Sequence, residues 1–245
     1  MFNSKKYHVE KNIVFKTVEQ ENLTVDIYSP TQAGLKPAVI VVHGGGWKAR
    51  SGDMSHICED LAKAGFVAFN ITYRLAPKHL FPKPVDDVKD AVAWIKTNTQ
   101  KYQVDPSQLS GWGYSAGAHL ILMAGLNPQL GLKAIVAGGT PADLTAWPDS
   151  EMVMRLLGVA YQANPQLWAQ ASPINFVESK SPRTFLYHGV WDKLVEVEQM
   201  DKMEKSLKDK GIPVETLRLN YLGHLAVYFL SQQSINDGIR FLKQN

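Results

Sequence analysis

The stretch LSGWGYSAGAHLILM, residues 109–123, decides the fold of this chain. Residues Leu109–Gly113 are small or apolar and predict a buried strand, and the residues from Ala116 to about Leu126 predict a helix. Between them, Gly113 to Gly117 match the pattern G-x-S-x-G around Ser115. A serine on a sharp turn from strand to helix exposes its hydroxyl, so the pattern indicates a candidate nucleophile. The alternative is a turn of small residues that only packs a helix on a sheet.

Strands and helices alternate along the rest of the chain, which predicts an α/β fold with a mostly parallel sheet and helices on both faces. The eight predicted strands are His8–Lys16, Leu23–Tyr28, Ala38–Val42, Phe66–Thr72, Leu109–Gly113, Leu132–Ala137, Arg183–His188 and Val214–Leu219. The predicted helices are Asp53–Ala64, Pro84–Thr97, Ala116 to about Leu126, Val195–Lys210 and Gln232–Lys243. A polar turn joins the first two strands, which predicts an antiparallel hairpin before the parallel part.

The composition is typical of a globular protein with one sizeable core. The chain has 245 residues, of which 45% are hydrophobic and 20% charged, and we expect a single domain over residues 1–245. Residues 140–172 show no strand pattern and are expected to form a small cap-like insertion. The net charge of +3 comes without a run of basic residues, which argues against a nucleic-acid partner.

The sequence also bears on the compartment. No apolar run is long enough to span a bilayer, and residues 1–10 show no secretory signal. The single cysteine, Cys58, allows no intrachain disulfide and lies in a helical pattern, where a buried structural thiol is expected. A cytoplasmic location is the expectation that follows.

Three consecutive glycines follow the predicted strand Ala38–Val42 in the run HGGGW, which begins at His43. Such a run costs chain entropy, so we expect its bare backbone to approach a ligand oxygen. The amides of Gly45 and Gly46 are expected to form an oxyanion hole together with the amide of Ala116. His43 is expected to support this loop through a hydrogen bond. The alternative, a flexible surface turn, explains poorly why the glycines adjoin a buried strand.

A serine hydroxyl needs a base to take its proton and an acid to orient that base. In proteins with this strand–serine–helix turn, the acid follows the serine along the chain and the histidine follows the acid. Asp192 comes after the strand Arg183–His188, and His224 comes after the strand Val214–Leu219. Both residues come just after the carboxyl ends of predicted parallel strands, where open α/β sheets place ligand sites. Ser115, Asp192 and His224 are therefore expected to form a catalytic triad. Other acids and histidines considered for these roles or for substrate contact are Asp143, Asp149, Glu151, Glu196, Glu198, His119 and His188.

Aromatic residues near these motifs are candidates for the walls of a substrate pocket. They are Trp47, Tyr114, Trp147 and Trp191. The alternative is that some of them cap the core. The sequence contains no cluster with metal-ligand spacing, so no metal is expected.

Together these motifs resemble the α/β-hydrolase esterases and lipases related to hormone-sensitive lipase, and still more the compact feruloyl and acetyl esterase-like hydrolases. The resemblance rests on HGGGW at 43–47, YRLAP at 73–77, FP at 81–82, DDVKDAVAW at 86–94, VDPSQLSGWGYSAG at 104–117, ASP at 171–173, HGVWD at 188–192 and GH at 223–224. It implies the α/β-hydrolase fold, ester cleavage without a cofactor, and a structural bracing role for Tyr73 and Asp87. Tyr114 stands where the lipase-related group usually has Asp, and Lys78 stands where an acid is common. The long N-terminal cap of that group has no counterpart in this sequence. These three differences favour the compact esterases.

The expected activity is hydrolysis of small carboxylic esters, with short acyl chains or small aromatic groups, through an acyl-enzyme. The same triad can cleave an amide, so an aryl-formamide hydrolase similar to kynurenine formamidase and a peptidase-like enzyme are alternatives. A non-catalytic binding protein on the same scaffold typically lacks the catalytic histidine or an oxyanion element, and this chain has both. A dehalogenase of this fold needs a carboxylate nucleophile, and position 115 is serine.

Overall fold

A computed structural model describes residues 6–244, and its strands form one eight-stranded sheet. The strands are β1 Tyr7–Val18, β2 Glu21–Pro30, β3 Lys36–Val42, β4 Val67–Ile71, β5 Val104–Tyr114, β6 Ala134–Gly138, β7 Arg183–Gly189 and β8 Val214–Leu219. Their order across the sheet is β1-β2-β4-β3-β5-β6-β7-β8. The pairs β1–β2 and β2–β4 are antiparallel and all others are parallel, which confirms the predicted antiparallel start and parallel body.

Helices cover both faces of this sheet. They are α1 Ser55–Lys63, α2 Lys83–Thr97, α3 Thr99–Tyr102, α4 Ala116–Gly125, α5 Glu151–Leu157, α6 Pro165–Gln170, α7 Glu198–Asp209, α8 His224–Leu230 and α9 Gln232–Lys243. None of the helices within residues 6–244 combines the length and the apolar composition that a bilayer span requires.

The central strand β3 lies between two layers of helices, which explains its uninterrupted apolar run Ala38–Val42. Ile40 and Val42 face the core formed with α2, α4 and α7, whereas Val39 and Val41 face the core formed with α1 and α9. All four side chains are fully buried. A strand between two layers of helices has no face for polar residues, so the usual alternation of a half-exposed strand is absent.

The structure departs from the predicted elements mainly after β8. The helix α8 begins at His224, where the sequence analysis predicted no helix. Gly223 and Ser231 bound a seven-residue helix that is too short for a periodic pattern to stand out. The region 140–172 contains no strand, as expected, and is built from α5, α6 and short 3₁₀ turns. It joins β6 to β7 at the carboxyl edge of the sheet, where it contributes to the site described next.

Candidate active site

Ser115 occupies the turn between β5 and α4, with φ 54° and ψ −123°. A residue with a side chain is strained at positive φ, and the strain persists only where neighbouring structure imposes it. The Ser115 N–H donates to the carbonyl oxygen of Gly138 at 2.8 Å, and the N–H of His119 donates to the Ser115 carbonyl oxygen at 3.0 Å. The neighbouring strand and the first turn of the helix thus hold the turn from both sides.

Close backbone contacts explain the two glycines that flank Ser115. A Cβ atom at Gly113 would lie 2.3 Å from the carbonyl oxygen of Gly117. A Cβ atom at Gly117 would lie 2.0 Å from the carbonyl oxygen of Val42 at the end of β3. Both distances are far shorter than van der Waals contact, so a side chain at either position would push α4 away from the sheet. The motif therefore seats the helix that follows the serine.

Three side chains from separate elements form one hydrogen-bonded chain. The Nε2 atom of His224, at the start of α8, lies 2.9 Å from the Oγ atom of Ser115. Its Nδ1 atom lies 2.6 Å from the Oδ2 atom of Asp192, which follows β7. All three residues come just after the carboxyl ends of parallel strands, and the sheet brings these ends to one edge. The structure thus brings together the serine, the base and the acid that the sequence analysis singled out.

Asp192 is itself fixed by the loop around it. Its Oδ1 atom accepts hydrogen bonds from the N–H groups of Leu194 and Val195, both at 2.9 Å. Its Oδ2 atom also lies 3.4 Å from the Nε2 atom of His188, whose closer partner is the Val195 carbonyl oxygen at 2.8 Å. Burial disfavours the carboxylate, but the bonds from His188 and His224 outweigh it and hold the pKa of Asp192 well below its usual range. The acid is therefore a permanent carboxylate near neutral pH.

The glycine loop presents backbone donors beside Ser115. Gly45 and Gly46 have φ values of 119° and 56°, in the left-handed region that favours glycine. A Cβ atom at Gly44 would lie 3.3 Å from the Cβ atom of Ser115, so the loop passes close to the serine. Within residues 6–244, the N–H groups of Gly45, Gly46 and Ala116 donate to no protein acceptor. Gly45 and Gly46 line one cavity together with Ser115, and Ala116 lines another with it.

Two buried histidines support the loop. The Nδ1 atom of His43 lies 2.7 Å from the Gly44 carbonyl oxygen, and its ring stacks on Tyr73 with centroids 4.3 Å apart. Tyr73 in turn donates its hydroxyl to the His43 carbonyl oxygen at 3.0 Å. His119 accepts from the Trp47 indole N–H at 3.1 Å and donates to the Ala171 carbonyl oxygen at 2.7 Å. Burial lowers the pKa of each histidine to about 4, so both are neutral structural groups.

A buried ion pair joins Arg74, the residue after Tyr73, to Asp87 of α2. Asp87 is fully buried and accepts from the Nε atom of Arg74 at 2.8 Å and from its terminal nitrogen at 2.9 Å. Lys16 of β1 donates to the same carboxylate at 2.8 Å. A bidentate Arg–carboxylate pair fixes both partners in one geometry, which ties α2 to the segment after β4.

Two cavities meet at Ser115. The first, of about 470 Å³, is lined by Ser115, Ala116 and the insertion residues Trp147, Asp149 and Met152. The second, of about 300 Å³, lies on the other side of Gly46 and Met152. Its wall contains Gly44, Gly45, Gly46, Lys48, Ser51, Gly52, Tyr114, Ser115, Met152, Arg155, Leu194, His224, Leu225, Tyr228 and Phe229. Ser115 thus lines both compartments.

The aromatic residues predicted for the pocket occupy different places. Trp47 and Trp147 line the first cavity, and Trp147 also donates its indole N–H to Glu196 at 2.8 Å. Tyr114 lines the second cavity and donates its hydroxyl to the His224 carbonyl oxygen at 2.6 Å. Trp191 is not brought to either cavity. Its side chain is 59% exposed and packs edge-on against Tyr221, because the backbone turn that points Asp192 inward leaves the preceding side chain outside.

The sequence analysis missed several residues of these walls. Tyr228 and Phe229 come from the unpredicted helix α8, and Lys48, Met152 and Arg155 belong to no catalytic motif. The sequence feature that could have indicated α8 is the apolar run HLAVYFL directly after Gly223, since loops are usually polar. In the part of the chain that the structure describes, no group of three or more His, Cys, Asp or Glu residues could hold a metal ion.

A family model extends over the elements that carry most of this site. Residues 25–207 match the model described as BD-FAE. The chain belongs to the BD-FAE family. The matched range begins in β2 and includes the glycine loop, Ser115 and Asp192, whereas His224 lies beyond it.

Two curated relatives of this BD-FAE chain are named esterases. It is 32% identical to Esterase LipQ of Mycobacterium tuberculosis over 195 residues, which is 71% of this chain and 46% of LipQ. It is 29% identical to Esterase LipC of the same organism over 208 residues, which is 75% of this chain and 52% of LipC. The BD-FAE chain therefore spans about half the length of the curated relatives that it matches.

Solved structures show the same fold along nearly the whole BD-FAE chain. A truncated form of a carbohydrate esterase from gut microbiota superposes with a TM-score of 0.86 at 25% identity, covering 98% of this chain and 96% of that one. An acetyl ester-xyloside bifunctional hydrolase from Caldicellulosiruptor lactoaceticus superposes with a TM-score of 0.85 at 23% identity, covering 96% and 95%. The predicted α/β-hydrolase fold is thereby confirmed.

Proposed function

We propose that this protein is a serine hydrolase that cleaves small carboxylic esters through an acyl-enzyme. The observation that carries the proposal is the chain from Ser115 to His224 to Asp192, with steps of 2.9 Å and 2.6 Å, beside backbone donors without a protein partner. Membership of the BD-FAE family and the esterase names of LipQ and LipC support it.

The proposed reaction begins with the transfer of the Ser115 proton to Nε2 of His224 while Oγ attacks the ester carbonyl carbon. The carbonyl electron pair moves onto the oxygen, and the N–H groups of Gly45, Gly46 and Ala116 bind the resulting oxyanion. One such donor is typically worth about 10²–10³ in rate. The carboxylate of Asp192 holds the Nδ1–H of His224 and stabilises the imidazolium.

Collapse of the tetrahedral intermediate breaks the carbon–oxygen bond to the alcohol. The imidazolium of His224 gives its Nε2 proton to the departing oxygen, so a neutral alcohol leaves and the acyl group stays on Oγ of Ser115. Water then attacks the acyl-enzyme while His224 takes one of its protons. The second collapse releases the carboxylic acid and returns the proton to Ser115.

The two cavities favour small substrates over long-chain lipids. Their volumes of about 470 Å³ and 300 Å³ are at the lower end of the range for small-molecule sites. The first cavity is lined by Trp147 and Val153 of the insertion, which forms its wall without a long lid. Short acyl groups or small aromatic acids fit this compartment.

The test is turnover of p-nitrophenyl esters of increasing acyl length by the wild type and by Ser115→Ala. We expect the wild type to cleave the short esters and Ser115→Ala to lose on the order of 10⁴–10⁶ in kcat. Ser110→Ala removes the same hydroxyl from an earlier position on β5 and is the matched control. A folded wild type that cleaves no ester but cleaves an aryl formamide or a peptide would overturn the ester proposal, and full activity of Ser115→Ala would overturn the nucleophile.

A further inference from the structure

The two cavities at Ser115 differ in charge. The wall of the first contains Asp149, Glu196 and one cation, Lys193. The wall of the second contains Lys48 and Arg155 and no acidic residue. A carboxylate or phosphate on a substrate would therefore be attracted into the second cavity and repelled from the first.

Arg155 is unusual among the arginines of this chain. Five arginines make an ion pair or hydrogen bonds to backbone carbonyl oxygens: Arg50, Arg74, Arg183, Arg218 and Arg240. Within residues 6–244, Arg155 makes neither, although α5 holds it in a half-buried position. Because no ion pair or hydrogen bond within residues 6–244 engages the Arg155 guanidinium, an anionic ligand would not have to displace a protein partner to pair with it.

The position of His224 decides which half of an ester enters the second cavity. In the proposed reaction, His224 gives its proton to the departing alcohol oxygen, so the alcohol must lie on the side of its Nε2 atom. His224 lines the second cavity and is not part of the wall of the first. The alcohol half therefore enters the cavity of Lys48 and Arg155, and the acyl half enters the larger one.

We propose that the preferred substrates carry an anionic substituent on the alcohol half and an uncharged acyl group. The inference rests on the proposed ester hydrolysis and adds the class of leaving group. Arg155 and Lys48 bind the anion, and Tyr228 and Phe229 supply an apolar surface for the carbon frame between the anion and the ester oxygen. Arg155 and Lys48 are thus specificity-determining residues of this site.

A matched pair of substrates separates charge from reactivity. The esters 3-acetoxybenzoate and methyl 3-acetoxybenzoate share the acetyl group and the ring, and only the first carries a carboxylate. The measured quantity is the kcat/KM of the anionic ester divided by that of the neutral ester, after division by their rates of alkaline hydrolysis. We expect this ratio to fall about 10-fold in Arg155→Gln, the effect typical of losing a hydrogen bond between charged groups. We expect a smaller fall of about 3-fold in Lys48→Gln, since Lys48 is exposed and its charge is screened by solvent.

Two controls show that the loss is one of specificity. Arg155→Lys keeps the charge and is expected to keep most of the ratio. Arg240→Gln removes an equal charge from α9 and is expected to leave the ratio unchanged. A general loss of folding or of catalysis would lower kcat/KM for both esters by the same factor and would leave their ratio unchanged. An unchanged ratio in Arg155→Gln, with the neutral ester still cleaved, would overturn the inference and leave the ester hydrolase standing.

Calorimetric titration with 3-hydroxybenzoate, the product alcohol, gives a readout that needs no turnover. The wild type is expected to bind it more tightly than methyl 3-hydroxybenzoate, and Arg155→Gln is expected to lose about 10-fold in affinity. If the wild type cleaves neither ester but keeps this Arg155-dependent binding, the ester proposal fails and the anion site stands. If the wild type binds both compounds equally, the anion site fails.

Discussion

Replacing Asp192 with Asn tests the proposed role of the carboxylate, because the amide keeps the size of the side chain and half of its contacts. The Oδ1 atom accepts from the N–H groups of Leu194 and Val195 at 2.9 Å each, and an amide oxygen can accept the same bonds. The amide NH₂ group then faces Nδ1 of His224, which must become an acceptor. The single proton of the neutral imidazole therefore moves to Nε2, where it faces Oγ of Ser115 and blocks proton transfer.

The wrong tautomer removes the base while leaving the site in place. We expect kcat on p-nitrophenyl acetate to fall about 10⁴-fold, which corresponds to roughly 5.5 kcal/mol of barrier. The protein loses the charge-assisted bond to His224 and the weaker attraction to His188 but keeps the two loop bonds. The free energy of unfolding in urea at pH 7 is therefore expected to fall by only about 1–3 kcal/mol.

The control is Asp209→Asn, which removes an exposed acid that pairs with Lys205 on α7. It is expected to keep the wild-type kcat. In the double variant with Ser115→Ala, Asp192→Asn is expected to add almost nothing to the loss, since residues that act as a unit are not additive. A folded Asp192→Asn protein with kcat within tenfold of the wild type would refute the tautomer argument.

Two predictions concern stability. Gly117→Ala is expected to lower the free energy of unfolding by about 3 kcal/mol or more, since its Cβ would lie 2.0 Å from the Val42 carbonyl oxygen. Urea unfolding measures this loss, and Gly34→Ala is the control because it changes a glycine at positive φ in open space. A loss in Gly117→Ala no larger than the loss in Gly34→Ala would contradict the prediction. Burial lowers the pKa of His119 from 6.5 to about 4, so at pH 5 the unfolded chain binds a proton that the folded one does not, and stability falls as the pH drops from about 6.5 towards 4. His119→Gln is expected to reduce the loss of stability between pH 7 and pH 5 by about 2 kcal/mol, and an equal pH dependence in variant and wild type would rule this out.

Local patterns were sufficient to predict most of the sheet and the residues that meet at its edge. The strands β3, β4, β6 and β7 and the second half of β5 contain short runs of buried residues, and burial on both faces makes such runs conspicuous. Ser115, Asp192 and His224 could be selected because each lies within five residues of the carboxyl end of a predicted parallel strand. Local patterns did not predict α8, since seven residues give too few repeats for a helical period.

The substrate compartments depend on contacts between distant segments. Trp191 was expected in the pocket because it precedes Asp192, yet neighbours along a turn point in different directions and its side chain lies at the surface. Arg155 carries no sequence signal at all, because an arginine on a short helix is ordinary until the structure places it in the wall of the cavity that Ser115 also lines.

The sequence by itself therefore singled out one serine, one acid and one histidine by the strands that they follow. These signals can be recognised in the sequence because strand patterns and turn preferences depend on a few neighbouring residues. Only the tertiary structure decided the shape and charge of the two cavities. Their walls combine the glycine loop, the insertion and α8, which lie far apart along the chain, and only packing on the common sheet brings them together.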